Sequence, residues 1–249
     1  MVSSIAFQFG QVDIKWYGLM MVLGLLLGFL LWVHLTREKG MKRVVALESY
    51  LVIIFGLFLG ARIFHLLIYD FSSFLADPLK IFFIWQGGLA SHGGLLGGTL
   101  FFYVYCKKKK MPFWFWTDIA MVPIVLATGF VRIGNFLNGE IVGRITNFPW
   151  GVKFNGESLK RHPVQLYESF KNFLIFGILY SIKGVKLPKG MVYWLFVFLF
   201  SFLRFFTEFF KEYMVFTSGL TMGQWLSLIL VIISGIMLYL VWKKKIVLK

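Results

Sequence analysis

Residues 16–43 read WYGLMMVLGLLLGFLLWVHLTREKGMKR, an apolar run that ends abruptly in basic residues. About 20 consecutive apolar residues in a helix reach across the roughly 30 Å hydrocarbon core of a bilayer. The run therefore predicts a transmembrane helix over 16–36. Because neither a basic segment nor a small-residue cleavage pattern precedes Trp16, we expect this helix to be retained and not removed as a signal peptide.

The whole chain has the composition of an integral membrane protein. Of its 249 residues 59% are hydrophobic and 20% aromatic, and the mean hydropathy is +0.77. The net charge of +15 could suggest nucleic acid, but such a patch needs a soluble face, and no soluble domain is left to carry it. The single cysteine, Cys106, excludes an intrachain disulfide and a CxxC motif. We therefore expect no nucleic-acid partner, no metal and no cofactor.

Apolar runs and charge together predict an all-α protein, a single membrane domain of seven transmembrane helices. The predicted spans are 16–36, 45–69, 88–106, 113–134, 168–183, 190–210 and 220–242. The connections after the first, third and fifth spans, with the tail, hold most of the basic residues: Arg37, Lys39, Lys42, Arg43, Lys107 to Lys110, Lys183, Lys186, Lys189, Lys243, Lys244, Lys245 and Lys249. The positive-inside rule places these in the cytoplasm and the N-terminus outside.

Two outer connections have a character of their own. Residues 70–87 are aromatic, contain an Asp77-Pro78 pair able to start a helix, and are expected to lie in the membrane interface. Residues 135–167 are the only long polar stretch and predict a polar arm outside the membrane. Within the spans, glycine pairs spaced by four residues favour close helix approach: Gly24/Gly28, Gly56/Gly60 and Gly94/Gly98.

Several polar residues fall inside the predicted spans, where a charge costs at least a few kcal/mol. They are Arg62, Arg132, Arg204, Glu208, His92 and Tyr17. Under the predicted orientation all six lie in the outer halves of their spans. This distribution predicts a polar cavity that faces the outer leaflet.

Each of these residues also has a structural interpretation. Arg204 and Glu208 are four residues apart and could form an ion pair within one helix. His92 could be a packing residue, Arg132 could extend to the interface, and Tyr17 could belong to an aromatic belt. The depth of Arg62 is the hardest to explain in structural terms alone.

The residue types indicate a phospholipid headgroup as the ligand. A guanidinium binds phosphate with two parallel hydrogen bonds and stays charged when desolvated, and a histidine is a neutral base near physiological pH. Neither GxSxG nor HExxH occurs, so a hydrolase is not indicated. Cys106 falls at the cytoplasmic end of its span, which argues against a covalent intermediate on sulfur.

Seven segments in order resemble the signature of the prolipoprotein diacylglyceryl transferase family over residues 16–228. They are WYGLMMVLG (16–24), GARIFHLLIYD (60–70), IWQGGLASHGGLLGG (84–98), RIGNFLNGEIVGRITNFPWGVKF (132–154), RHPVQLYESF (161–170), RFFTEFF (204–210) and LTMGQWLSL (220–228). Any one of these segments would be weak evidence alone. Together, the fourth and fifth segments are highly specific.

The resemblance implies a multi-pass bacterial inner-membrane transferase with its site toward the outer leaflet. Such an enzyme moves the diacylglyceryl group of phosphatidylglycerol to the lipobox cysteine in a prolipoprotein signal peptide, which forms a thioether and releases glycerol phosphate. Its partners are therefore this lipid, the signal peptide and the surrounding membrane lipid. The reaction needs a base for the thiol and cations for the departing phosphate.

The resemblance also implies roles for particular residues. His92 matches the candidate base, and Arg132 and Arg204 match the arginines that hold the phosphate. Residues implied to bind the substrate are Asn135, Asn138, Glu140 and Gly143 of the glycine-asparagine motif, with Tyr17 and Glu208; position adds Arg62. The stretch from His162 to Glu168 matches the signature of a periplasmic arm.

The chain departs from the family pattern at three positions. Val131 stands where glycine is usual, Ser91 where an aromatic residue often precedes the histidine, and Lys211 where an arginine often ends the RFxxEFxR pattern. A lysine lacks the bidentate fork, so a headgroup contact from position 211 is not expected. His92 could orient the lipid instead of acting as the base.

Two other classes of protein stay open. A lipid transporter or scramblase would also need arginines in an outer cavity, but it needs a polar path to the inner leaflet as well, for which Asp118 is the candidate charge. The lack of an internal repeat further disfavours an inverted-repeat transporter. A structural membrane subunit would leave the arginines unexplained.

Overall fold

The computed structural model describes residues 4–9, 12–83, 88–212 and 215–243. It begins with a hairpin of β1 (Ile5–Phe9) and β2 (Val12–Lys15). The helices are α1 (Trp16–Arg37), α2 (Arg43–Ile68), α3 (Phe71–Ala76), α4 (Ser91–Lys108), α5 (Phe113–Asn138), α6 (Val164–Ser181), α7 (Met191–Thr207) and α8 (Met222–Trp242). Short 3₁₀ helices occupy Pro78–Phe82 and Glu208–Phe210. Several residues with predicted roles lie outside the described residues: 84–87, which begin the third family segment, and Lys244, Lys245 and Lys249 of the basic tail.

All seven predicted spans are helical, with two notable shifts of boundary. Helix α5 continues to Asn138, and α6 begins at Val164, directly after Pro163. Proline is tolerated at the start of a helix because its missing N–H has no partner there in any case. The predicted polar arm is therefore shorter at both ends.

Five described helices are long and apolar enough to cross a membrane: α1, α2, α5, α8, and α7 with its 3₁₀ extension. The glycine-rich α4 and the more polar α6, which contains Glu168 and Lys171, are the less apolar pair. The structure is thus mostly helical and rich in potential spans. The count of seven spans stays a prediction.

The chain divides into two compact units, and whether they make one membrane domain stays a prediction. The larger unit holds the described residues of Met1–Leu31 and Asp118–Leu248, and the smaller one is Trp32–Thr117. The predicted interfacial segment in the smaller unit forms α3 and a 3₁₀ helix. As predicted, the Asp77-Pro78 pair starts a helical turn, in which the Asp77 carboxylate accepts the N–H of Leu79 at 3.1 Å.

In the smaller unit α2 and α4 pack through glycines, as the sequence predicts for Gly56 and Gly60. A Cβ on Gly60 would lie 2.6 Å from the Cα of Gly97, and one on Gly56 would lie 2.8 Å from the carbonyl oxygen of Gly97. The closest approach on α4 is at Gly97 and its neighbour one turn earlier, Gly93, instead of the expected Gly94/Gly98 pair. Small residues let the two backbones touch.

In the larger unit, β-structure occurs in segments that lie outside the predicted helices. Strands β1 and β2 are antiparallel, with Phe7 opposite Ile14. The polar arm is closed by isolated bridges of Arg161 with both Ile145 and Val152, and Gly143 pairs with Lys211. The pairing of Gly143 with Lys211 connects the arm to the end of α7.

Glycine also sets the contact between α1 and α5 in the larger unit. A Cβ on Gly134 would lie 3.0 Å from the Cα of Tyr17, and one on Gly24 would lie 2.7 Å from the carbonyl oxygen of Ala127. The prediction of close approach at Gly24 is therefore confirmed. This contact brings the start of α1 to the end of α5, where several candidate site residues lie.

We expect Gly60→Ala to destabilise the protein by roughly 1–3 kcal/mol, because the added methyl group collides with the backbone of α4. Gly177→Ala is the matched control, since a Cβ there meets no atom within 4 Å and alanine favours the helix by about 1 kcal/mol. Thermal unfolding of the purified proteins in one detergent measures both effects. Equal melting temperatures for the two variants would contradict the glycine contact.

Candidate active site

Five of the predicted site residues form a continuous hydrogen-bonded chain at the end of α5. Arg132 Nη1 donates to Asn135 Oδ1 at 3.3 Å, and Asn135 Nδ2 donates to Glu140 Oε2 at 3.0 Å. Asn138 Nδ2 donates to the other oxygen of Glu140 at 2.9 Å, while its own Oδ1 accepts the backbone N–H of Tyr17 at 3.2 Å. The amides thus link the guanidinium of Arg132 to an exposed carboxylate.

A tight turn after α5 creates this arrangement. Gly139 has φ of +71° and Ile141 has φ of +55°, so the chain reverses around Glu140 through left-handed backbone. The backbone N–H of Glu140 returns to the carbonyl oxygen of Asn135 at 2.9 Å. The turn therefore holds the Glu140 side chain against both asparagines.

Gly143 lies where the polar arm packs against α6 and the end of α7. A Cβ on this glycine would lie 2.7 Å from the carbonyl oxygen of Phe210 and 2.5 Å from Val164 Cγ2. Its backbone N–H donates to the backbone carbonyl oxygen of His162 at 3.2 Å. Lack of space explains the glycine in structural terms, and its predicted contact with substrate stays a prediction.

A second polar cluster, the α6–α7 ionic network, lies buried in the same unit. We define it as Glu168 and Lys171 of α6 with Arg204, Glu208 and Lys211 at the end of α7. Lys211 Nζ lies 3.0 Å from Glu208 Oε2 and 3.1 Å from Glu168 Oε1. Lys171 Nζ pairs with Glu168 Oε2, and Arg204 Nη2 lies 3.6 Å from Glu208 Oε2.

Electrostatics explains why these charges occur together. An isolated buried charge is costly, whereas paired and hydrogen-bonded charges offset much of that cost. The Glu168 and Glu208 side chains are only 2% and 1% exposed, yet each carboxylate has cationic partners. Arg132 and Arg204 both interact electrostatically with Glu168. The two arginines predicted to bind phosphate therefore lie near the same buried carboxylate.

The polar arm covers an apolar cavity of about 550 Å³ beside this network. Residues of α6 and α7 line it, together with Phe148, Trp150 and His162 of the arm. Trp150 Nε1 donates to the Tyr167 hydroxyl at 2.7 Å, and that hydroxyl lies 3.0 Å from His162 Nδ1. Burial lowers the pKa of His162, so its imidazole is neutral at pH 7.

The base of the arm is fixed by Arg161. Its guanidinium donates to the carbonyl oxygen of Gly143 at 3.1 Å and pairs with Glu157 and Glu212. Its backbone N–H and carbonyl group both bond to Val152 at 2.9 Å. The RHPVQLYESF segment therefore begins with a structural residue.

The other two predicted site residues, Arg62 and His92, belong to the smaller unit. Both are buried, and Arg62 Nε donates to the carbonyl oxygen of Lys80 at 2.9 Å. The His92 ring lies 6.4 Å from that of Phe64 between centroids. Arg62 thus fixes the segment after α2, and the substrate and catalytic roles of both residues stay predictions.

Asp118, which the sequence predicts to lie in the inner half of its span, has a structural role. Its carboxylate accepts the backbone N–H of Gly190 at 2.7 Å and that of Tyr193 at 2.8 Å. These N–H groups at the start of α7 have no partner within the helix. Asp118 therefore satisfies the helix terminus, which explains its charge in structural terms.

Glu168 and Lys171 are charges inside a predicted span that are absent from the predicted site, and the α6–α7 ionic network is absent with them. Their spacing of three residues on one helix is the signal that could have found them. Lys211 was noted only as a departure from the family pattern. The structure shows it as the cation that joins the two buried carboxylates.

Fold and site together define a helical membrane protein with arginines gathered around buried carboxylates and amides, a class suited to anionic ligands. The chain belongs to the prolipoprotein diacylglyceryl transferase family, whose model matches residues 4–241. It is 36% identical to the phosphatidylglycerol–prolipoprotein diacylglyceryl transferase of Coxiella burnetii over 98% of this chain and 97% of that protein. The enzymes of the same name from Tolumonas auensis and Geobacter sulfurreducens are 37% and 36% identical, over 97% and 79% of this chain and 96% and 77% of theirs.

Proposed function

We propose that this chain transfers the diacylglyceryl group of phosphatidylglycerol to the lipobox cysteine of prolipoproteins. The observation that carries the proposal is that Arg132 and Arg204 both interact electrostatically with the buried carboxylate of Glu168, in a chain of this family. Guanidinium groups bind phosphate in a bidentate manner and stay charged in apolar surroundings. A lipid headgroup phosphate is the anion that such a site would meet in a membrane.

The chemistry follows from the substrate atoms. The cysteine sulfur attacks the glyceryl carbon that bears the phosphate, a carbon–sulfur bond forms, and the carbon–oxygen bond to the phosphate breaks. The thiol loses its proton, and glycerol phosphate departs with the negative charge. Arg132 and Arg204 stabilise that charge, while Asn135, Asn138 and Glu140 fix Arg132 and offer polar contacts to the headgroup.

His92 and Arg62 enter the proposal through the family motif and their predicted depth. A substrate thiol with an ordinary pKa of about 8.5 is mostly protonated at pH 7, so it needs a base. His92 supplies a neutral imidazole for this step. Arg62, Tyr17, Gly143 and Glu208 shape the lipid site, directly or by holding neighbouring residues.

We also propose a location and an orientation. The chain would have seven spans, an external N-terminus, an extracytoplasmic arm and a cytoplasmic C-terminus, with the arginines toward the outer leaflet of the inner membrane. There the enzyme meets phosphatidylglycerol and the exported signal peptide. A transporter or scramblase is the weaker proposal, because Asp118 already satisfies the start of α7 and supports no path to the inner leaflet.

We expect the purified protein to alkylate a lipobox peptide with labelled phosphatidylglycerol, and Arg132→Lys and Arg204→Lys each to lose about a hundredfold in rate. That loss corresponds to about 3 kcal/mol of transition-state stabilisation. It arises because lysine keeps the charge but not the bidentate geometry. Arg37→Lys, an exposed position at the end of α1, should be fully active.

The two outcomes of this assay separate the hypotheses. Absence of transfer by the wild-type protein would refute the proposed reaction. Wild-type rates in either lysine variant, at equal membrane levels, would refute phosphate binding by that arginine only.

For His92 we expect the pH profile to distinguish a base from a residue that positions the lipid. With a base, the wild-type rate should rise as the imidazole loses its proton and then level off. His92→Gln should be slow at pH 7 and regain rate as the substrate thiol ionises near pH 8.5 by itself. His34→Gln is the control, since His34 is exposed at the cytoplasmic end of α1. Parallel profiles for wild type and His92→Gln would leave His92 only the positioning role.

For the orientation we expect a reporter enzyme that works only in the periplasm to be active when inserted near Asn155 and inactive when fused after Lys249. The reason is that basic residues are concentrated in the connections assigned to the cytoplasm. A cytoplasm-specific reporter at the same two positions is the control and should give the reverse pattern. Periplasmic activity at the C-terminal fusion would contradict the proposed cytoplasmic location of the C-terminus.

A further inference from the structure

Lys171 is a buried lysine that directly follows the RHPVQLYESF segment and belongs to no family motif quoted above. Its side chain is 3% exposed and pairs with Glu168 one turn earlier on α6. The ammonium group also lies 4.2 Å from the centroid of the Phe200 ring on α7. A lysine buried this deeply in an apolar helix pair requires a specific reason.

The Glu168–Lys171 pair contacts α7 on both sides of Arg204. Phe200, which Lys171 covers, is four residues before Arg204 and so lies on the same helix face. On the other side, the Thr207 hydroxyl donates to Glu168 Oε1 at 2.6 Å. The pair therefore spans the turn of α7 that presents Arg204.

Both carboxylate oxygens of Glu168 have partners, and Lys171 is the partner of one of them. Oε1 accepts from Thr207 and lies 3.1 Å from Lys211 Nζ, whereas Oε2 is held by Lys171. Arg132 and Arg204 also interact electrostatically with the same carboxylate. Without Lys171, Oε2 would lack a cation in a low-dielectric region, and the arginines are the candidates to replace it.

We propose that Lys171 is a positioning residue that saturates Glu168 and so keeps Arg204 available to the phosphate of the lipid substrate. This inference rests on the proposed function. The ionic network contains three cations and two carboxylates, so one positive charge exceeds the internal pairing. Lys171 neutralises Glu168, so the excess positive charge stays on the arginine side of the network.

The test compares lipid kinetics of Lys171→Met with those of the wild type in the phosphatidylglycerol and lipobox-peptide assay. We expect the KM for phosphatidylglycerol to rise about tenfold, equivalent to about 1.4 kcal/mol of binding, with kcat changed less than the KM. Lys183→Met, at an exposed lysine just beyond α6, is the control and should keep the wild-type KM. Melting temperature and membrane level are measured on the same preparations.

Rescue separates positioning from general stability. The double variant Lys171→Met/Glu168→Gln removes the pair as a neutral unit, since Gln has no charge to draw the arginines, and its KM should return toward the wild-type value. Lys171→Arg should keep a KM near wild type. If Lys171→Met fails to accumulate, Lys171→Gln takes its place, with the same tenfold rise expected.

An unchanged KM in the charge-removing variant, or a double variant no better than the single one, would overturn the inference while wild-type transfer still supports the proposed reaction. An inactive wild type would instead refute the proposed function itself. The two failures are therefore distinguishable in one experiment.

Discussion

The bridge from Lys211 to both Glu168 and Glu208 organises the larger unit of this protein. A carboxylate that leaves water for an apolar interior loses solvation worth several kcal/mol, so each of these two must keep a cation at contact distance. Lys211 pairs with both carboxylates at once. This pairing fixes the end of α7 against the beginning of α6. The positions of Arg204, Thr207 and Gly143 follow from it.

A second constraint acts through backbone contact. In apolar surroundings helices gain little from burying aliphatic side chains against each other, and close packing of small residues takes over that function. Gly134 brings the end of α5 to Tyr17, and Gly143 brings the arm to Phe210. The amide chain at Asn135 and Asn138 depends on the first of these contacts. The bridge between Gly143 and Lys211 depends on the second.

The sequence was sufficient to predict helices in all seven apolar segments, because a long apolar run with basic flanks has few other structures available. It also predicted that Tyr17, Arg132 and the asparagines would lie together, through the family signature. It did not predict the hairpin at Ile5–Lys15 or the arm bridges, since short strands carry no distinctive periodicity. The buried partners of Lys211 depend on packing between α6 and α7, and a pairing between helices is not visible in one sequence.

The site combines two solutions to one electrostatic problem. Arg132 is fixed by the neutral amide of Asn135, whose carbonyl oxygen accepts a hydrogen bond without cancelling the charge of the guanidinium. Arg204 is fixed by a carboxylate, but at 3.6 Å and in competition with Lys211 at 3.0 Å. Glu208 is therefore shared, and a shared carboxylate neutralises each of its partners only in part. Both arrangements hold a guanidinium in place without a cation-anion pair of its own at close contact distance, an arrangement that suits the proposed stabilisation of a departing phosphate.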